Sequence, residues 1–201
     1  MQIVQIVELD KKRVRVRLDD GCSFPLYKGE KKQYGLQEGG ELSQEQFEEI
    51  RREILIKRAR RRTMHLLEKM DRTENQLRTK LRQGYYPEDV IEDALSYVKG
   101  YHYVDDLRYA QNYVRCWKEK KSRRMLQMEL QNKGVSKEWV QQALDEEYQQ
   151  ENEQEQILTW IQKKNYSPET SDIREKHRIY QFLMRKGFCS HDILHVLDHL
   201  T

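Results

Sequence analysis

The chain has 201 residues, 35% of them charged and 37% hydrophobic, with a formal net charge of +3 and a mean hydropathy of −1.03. No apolar run approaches the roughly 20 residues needed to cross a bilayer, and residues 1–9 lack the basic-then-apolar plan of a secretion signal. Cys22, Cys116 and Cys189 are odd in number and far apart, which argues against a disulfide scaffold and predicts a reduced, cytoplasmic setting.

The first elements are strands. Ile3, Gln5 and Val7 alternate, as do Arg13 to Leu18, and Asp19-Asp20-Gly21 supplies a turn before a third short strand over Cys22–Tyr27. Residues 1–42 therefore read as a small antiparallel β module with a basic face, where Arg13, Arg15 and Arg17 either touch phosphate or meet solvent. Ser43 with Gln46 three residues on marks a helix start, and Phe47, Ile50, Ile54 and Leu55 give an apolar stripe. That helix, over 43–65, runs into Lys57-Arg58-Ala59-Arg60-Arg61-Arg62.

A helical pattern then returns three times. Leu81, Leu130 and Leu183 are each followed six residues later by Pro87, Ser136 and Cys189, then by Ile91, Val140 and Ile193, then by Ala94-Leu95, Ala143-Leu144 and Val196-Leu197. The copies start 49 and 53 residues apart. Such a period, with no strand signal, predicts stacked three-helix units over 66–100, 101–149 and 150–201, joined in one continuous, elongated body. Thr73, Asp105-Asp106, Ser122 and Ser136 mark helix starts, with Pro87 in a first turn. Helices of the last unit fall near 151–164, 171–186 and 190–200. Lys133-Gly134 and Lys186-Gly187 share one helix stop, whereas in the first repeat Gly84 comes early and Tyr85 takes the matching place.

At these residues a family resemblance enters. Tyr103-Val104-Asp105-Asp106-Leu107-Arg108-Tyr109-Ala110, followed by Arg124, Glu129-Leu130 and Lys133-Gly134-Val135, resembles the core signature of RecX, the bacterial regulator of the RecA recombinase. Lys80-Leu81 with Tyr86-Pro87-Glu88-Asp89-Val90-Ile91 is similar to the RecX first repeat. The resemblance spans about residues 57–200 and departs at Ser122, where the family usually has Gly. It implies a mainly α fold of three tandem three-helix repeats in an elongated curved array. It also implies a monomeric, non-enzymatic modulator that lies in the groove of the RecA–single-stranded-DNA filament. There it restrains ATP hydrolysis, strand exchange or filament growth. Partner contacts at Asp105, Asp106 and Arg108 would follow from the same resemblance.

From the residues alone, two basic clusters stand out. Residues 51–100 carry 13 Lys/Arg against 8 Asp/Glu, and Lys57, Arg58, Arg60, Arg61 and Arg62 concentrate the excess. They would neutralise phosphates or pair with acids on a partner; the alternative is a solubilising helix face. Lys118, Lys120, Lys121, Arg123 and Arg124 lie at a helix start, where cations oppose the helix dipole and an anion would relieve the conflict; the alternative is a solvated loop. Asp105 and Asp106 are also explained as cap and dipole partners. His191, His195 and His199 lie one turn apart, but the end pair are about 12 Å apart along the axis, too far to share one ion, so no metal site is assigned. Trp117, Trp139 and Trp160 are expected in the core, with Tyr85 and Tyr86 as candidate stacking residues. No phosphate-cradling GxxxxGK[ST], GxSxG or paired nucleophile and base is present, so neither an enzyme nor a cofactor is expected. Two other classes remain open: an independent nucleic-acid-binding repeat protein, and a scaffold for an unrelated protein.

Overall fold

The computed structural model describes residues 1–148, 153–167 and 172–200. They fall into two compact units, Met1–Asp105 and Asp106–Thr201.

In the first unit, β1 (Ile3–Glu8), β2 (Arg13–Leu18) and β3 (Ser23–Tyr27) form an antiparallel meander in that order. The two-residue period of β2 is realised: Val14, Val16 and Leu18 are buried, while Arg13 and Arg17 are exposed. Arg13 pairs across the ladder with Tyr27 and Arg15 with Pro25, so these four side chains share one face. A short helix α1 (Lys28–Gln33) follows, which the sequence did not announce because it has no apolar stripe. Glu30 starts it by accepting from the Tyr27 backbone N–H at 2.7 Å.

Helix α2 (Gln44–Glu49) opens at Ser43, whose hydroxyl accepts from the Gln46 N–H at 3.1 Å. Seven residues, Ile50–Ile56, then wind as π-helix. Bonding from i to i+5 stacks residues five apart, which puts both Ile50 and Leu55 in the core. The chain continues as α3 (Lys57–Lys69), α4 (Glu74–Arg82) and α5 (Glu88–Gly100), with α3 and α4 both against α5. Pro87 precedes α5 rather than lying in its first turn, because its ψ of 151° is extended. Buried side chains from Ile3 through Val104 make one cluster, so the sheet and the first repeat share a core.

The second unit holds α6 (Asp106–Trp117), α7 (Arg123–Asn132) and α8 (Lys137–Glu147), then α9 (Glu153–Lys163), α10 (Ile173–Arg185) and α11 (Ser190–Asp198). The starts expected at residues 151 and 171 lie outside the described residues. In each trio the first and second helices pack against the third, as in the first unit. The buried residues of the two trios form two clusters, one around Leu130 and one around Leu183, rather than one continuous core.

Polar contacts link these trios. Ser122 is fully buried; its hydroxyl caps α7 by accepting from Met125 N–H at 3.2 Å, and its own N–H donates to the Lys186 carbonyl at 3.3 Å. Four residues after each repeat leucine the chain turns left-handed, at Tyr85 (φ 63°), Gly134 (84°) and Gly187 (90°). At Gly187 a second constraint is added, since a Cβ there would stand 2.5 Å from Ser122 Oγ and 2.7 Å from Met125 Cβ. Gly21 also has positive φ, at 85°, but open space around it. Gly187→Ala is therefore expected to lose about 1–2 kcal/mol for the left-handed backbone and about 1–3 kcal/mol more for overpacking. Gly21→Ala should lose only the first. Urea midpoints of the two variants check this, and equal shifts would refute the contact between α7 and the Gly187 turn.

Candidate nucleic-acid interface

Helix α3 sorts its side chains into three sides. Ala59, Thr63 and Leu66 are buried, at helical spacing. Arg60 turns to α5 and makes a two-pronged pair with Asp93 at 2.6 and 2.9 Å, its guanidinium 4.7 Å above the Tyr97 ring. Lys57 pairs with Glu53 one turn back. Residues 58, 61, 62 and 65 follow the i, i+3, i+4, i+7 rule and face the sheet instead. Arg58 there is tied to Glu30, its guanidinium 4.4 Å over the Tyr27 ring. Arg61 and Arg62 are exposed and meet no carboxylate among the described residues.

Helix α5 explains why so few cations remain uncompensated. Its acids Glu88, Asp89, Glu92 and Asp93 are each claimed by an arginine: Arg78 and Arg82, Arg51, Arg78 and Arg60 respectively. Arg78 also reaches Glu74 at 3.2 Å, and these hydrogen bonds raise its already high pKa further, with Glu92 the largest contributor. Four of the 13 cations of residues 51–100, Arg51, Arg60, Arg78 and Arg82, are therefore paired with acids of the same stretch, and its net excess lies in the cations left over.

What is left opens onto a cleft of about 600 Å³ between the arginine face of the sheet, α3 and the α4–α5 turn. Arg13, Arg58, Arg61, Arg62, His65 and Lys80 line it, with Tyr27 and Tyr86, and no carboxylate does. The acids that pair with three of them, Asp10, Glu30 and Glu68, stand outside the lining. Burial pushes the Tyr86 phenol above its ordinary pKa, against the opposing pull of Arg58, Arg13 and Arg62. Tyr85 serves a different purpose: its ring lies under Arg15 at 4.7 Å, and the Arg15 Nε is buried with no hydrogen-bond partner among the described residues.

The second predicted cluster is also divided. Lys121 is half-buried, pairs with Glu129 at 2.6 Å and lies 4.3 Å over Trp117. Arg123 is pinned by Asp145 and the Leu144 carbonyl. Lys120 lies 5.4 Å over Trp117, Lys118 is half-buried just past α6, and Arg124 points to solvent. Burial pushes the Glu129 carboxyl up, but the Lys121 ammonium and the Tyr113 hydroxyl overcome it and hold it below the usual carboxylate range.

An arrangement that periodicity alone does not announce repeats in the last trio. Trp117-x-x-Lys120-Lys121 is matched by Trp160-x-x-Lys163-Lys164. Lys163 lies 5.3 Å and Lys186 4.4 Å over Trp160, while Lys164 lies 4.9 Å over Phe182. The tryptophans expected in the core lie at its margin instead: Trp117 and Trp139 are 37% and 38% exposed and Trp160 is half-buried. Val140, Ala143 and Leu144 fill the space beside α8, and the lysines need an aromatic face at the surface. The spacing of Arg58, Arg61, Arg62 and His65 was the other readable signal. Arg13, Lys80, Tyr27 and Tyr86 join them only through the fold.

Asp106 opens α6, Asp105 precedes it, and Arg108 is exposed in the first turn. His195 and His199 stack at 4.5 Å, with His199 Nδ1 2.7 Å from the His195 carbonyl oxygen. Among the described residues no three His, Cys, Asp or Glu side chains are grouped to hold a metal ion, and no helix is long and apolar enough to cross a membrane.

Three tandem three-helix units, each with a left-handed turn four residues after its buried leucine, define a helical-repeat protein. Family models for the first, second and third three-helix domains of RecX match residues 59–97, 105–144 and 151–197. The chain is 34% identical over 158 residues to the regulatory protein RecX of Caldanaerobacter subterraneus, covering 77% of this chain and 76% of that one. It is 29% identical over 194 residues to that of Clostridium botulinum strain Eklund 17B, covering 95% and 91%. A crystal structure of regulatory protein RecX superposes with a TM-score of 0.60 at 26% identity, covering 98% of this chain and 99% of that one. RecX from Lactobacillus salivarius shares the fold with a TM-score of 0.61 at 23% identity, covering 73% and 96%. The chain belongs to the RecX family of regulatory proteins.

Because the folded state holds Glu129 as a carboxylate, its contribution to stability is present above pH 4.5 and is lost as pH falls through its depressed folded value. Glu129→Gln should therefore show a smaller loss of urea midpoint between pH 7 and pH 3 than the parent chain. An equal loss would show that the Lys121–Glu129 pair does not couple to folding.

Proposed function

We propose that this protein modulates the RecA recombinase by binding, as a monomer, in the groove of the RecA–single-stranded-DNA filament. It restrains ATP hydrolysis, strand exchange or filament growth there without chemistry of its own. Family membership supplies RecA as the partner. The observation that carries the mode of action is the pair Arg61 and Arg62, exposed on α3 with no acid to satisfy them among the described residues. In the second unit, Lys120 and Arg124 around the α6–α7 turn, with Lys163 and Lys164 after Trp160, supply further exposed cations. Asp105, Asp106 and Arg108 are proposed as contacts to the recombinase, and Lys57, Arg58, Arg60, Lys118, Lys121 and Arg123 as further contacts to the nucleic acid or the filament. Arginine suits both tasks, since its fork pairs with carboxylate and phosphate alike.

The test is the steady-state ATPase of the cognate RecA on single-stranded DNA, titrated with this protein. A fall at sub-stoichiometric ratios is expected. Replacing Arg61, Arg62, Lys120 and Arg124 with Ala should raise the concentration for half-inhibition at least about tenfold, the equivalent of roughly 1.4 kcal/mol of binding. No effect of the parent protein on RecA, alongside salt-steep binding to bare DNA, would favour an independent nucleic-acid-binding protein instead.

A further inference from the structure

We infer that the cleft between the N-terminal sheet and the first repeat is a binding site for two adjacent phosphates of a nucleotide chain, and that the β module is one wall of it. The inference deepens the filament reading, on which it rests for the choice of a nucleic-acid strand as the source of those phosphates. The phosphate chemistry itself rests on the cleft.

Three observations converge there. First, the lining holds cations from three elements, Arg13 on β2, Arg58, Arg61 and Arg62 on α3, and Lys80 on α4, without one carboxylate. Like charges gathered this way repel, and an anion is what relieves them. The neighbouring cleft beside α1 is different, because a carboxylate, Glu8, lines it together with Lys28. Second, two of the cations are preorganised. Arg58 is fixed by Glu30 and Tyr27, and Arg13 by Asp10 at 2.7 Å, so binding would cost little side-chain ordering. Third, on the same sheet face as Arg13, Arg15 is held against Tyr85 with its Nε buried and without an acceptor among the described residues, adding positive potential. The cleft volume of about 600 Å³ falls within the range of small-ligand sites, and its walls include the Tyr27 and Tyr86 rings, which suit sugar or base faces.

The repeat pattern explains why the site is confined to the first unit. Gly134 and Gly187 make the left-handed turn in the later repeats, but here Tyr85 takes that geometry and Gly84 precedes it. A Cβ on Gly84 would stand 3.0 Å from Tyr86 Cε2, so Gly84 is what lets the Tyr86 ring lie against the floor of the cleft.

The experiment uses the full chain without RecA. Fluorescence anisotropy of a labelled oligothymidine is followed from low to moderate salt for the parent, for Arg61→Ala/Arg62→Ala, and for Lys31→Ala/Lys32→Ala, which removes equal charge from α1. The Arg61/Arg62 variant is expected to bind at least about tenfold more weakly. Its slope of log K against log salt should be shallower by about 1.4, roughly 0.7 for each phosphate that is no longer neutralised. The α1 variant should stay near the parent. Inorganic pyrophosphate is the second arm: competition that depends on Arg61 and Arg62 supports the cleft. Should it bind while the oligonucleotide does not, the site belongs to a free polyphosphate. No binding of either probe, or equal losses in the two variants, overturns the inference. Neither result touches the RecA ATPase readout, so the filament reading stands or falls separately.

Discussion

Helix α3 has to bury one side, satisfy a second and leave a third open, and the rest of the first unit follows from how it does so. Ala59, Thr63 and Leu66 give the buried side, small enough at Ala59 and Thr63 for α3 to lie close to its neighbours. Thr63 removes its own polar cost by donating to the Ala59 carbonyl at 2.9 Å, the usual solution for a hydroxyl inside a helix. The acid row of α5 takes Arg60, and the same row takes Arg51, Arg78 and Arg82 from the helices around it. With those guanidiniums tied down, the side facing the sheet is left with more positive charge than the fold neutralises. A helix with the same composition but its acids elsewhere would show a mixed, solvated surface.

Much of the architecture is legible in the residues because local rules suffice. Ser43, Thr73, Ser122 and Ser136 each accept from the backbone N–H three residues on, as their positions before apolar runs imply. Leu81, Leu130 and Leu183 are each fully buried, and the residue four places on is left-handed in all three repeats. The first repeat shows how far such a pattern can bend. Tyr85 accepts an unfavourable backbone at the place where the others use glycine, and its ring gains the Arg15 guanidinium. The division of the basic clusters was not legible, for a physical reason. Arg58 meets Glu30, 28 residues away, and Arg60 meets Asp93, 33 residues away, so which cations are neutralised depends on tertiary contacts that no local spacing encodes. The tryptophans misled for the opposite reason. Trp139 lies beside a buried Val140, and helical periodicity turns adjacent residues about 100° apart, so proximity in sequence to the core says little about which way the indole faces.

The two units display charge in different ways. In the first, Arg13, Arg58 and Arg60 are guanidiniums held by carboxylates, and Arg58 and Arg60 also lie over aromatic rings. In the second, Lys120, Lys163 and Lys164 place ammonium groups over Trp117, Trp160 and Phe182, on flexible stems that can leave the ring for a phosphate by giving up a cation–π interaction of about 0.5–1 kcal/mol. Fixed arginines favour geometric recognition, and mobile lysines favour charge without register. On the proposed filament, the first would set the protein's place and the second would hold on while tolerating variation.

The shared core of the sheet and the first repeat gives the fixed set its mechanical basis. Phe24 and Leu26 of β3 lie in the same buried cluster as Leu55, Leu81 and Ile91, so β3 cannot move away from α3 without opening that core. The salt link from Arg58 to Glu30 and the Arg58 N–H to the Pro25 carbonyl at 3.5 Å hold the rim in the same way. Groups held on one rigid body lose little freedom when they bind, and their mutual repulsion has already been overcome by folding. Under the proposed phosphate binding, that stored repulsion is what the anion would relieve, so the site would be set when the core forms.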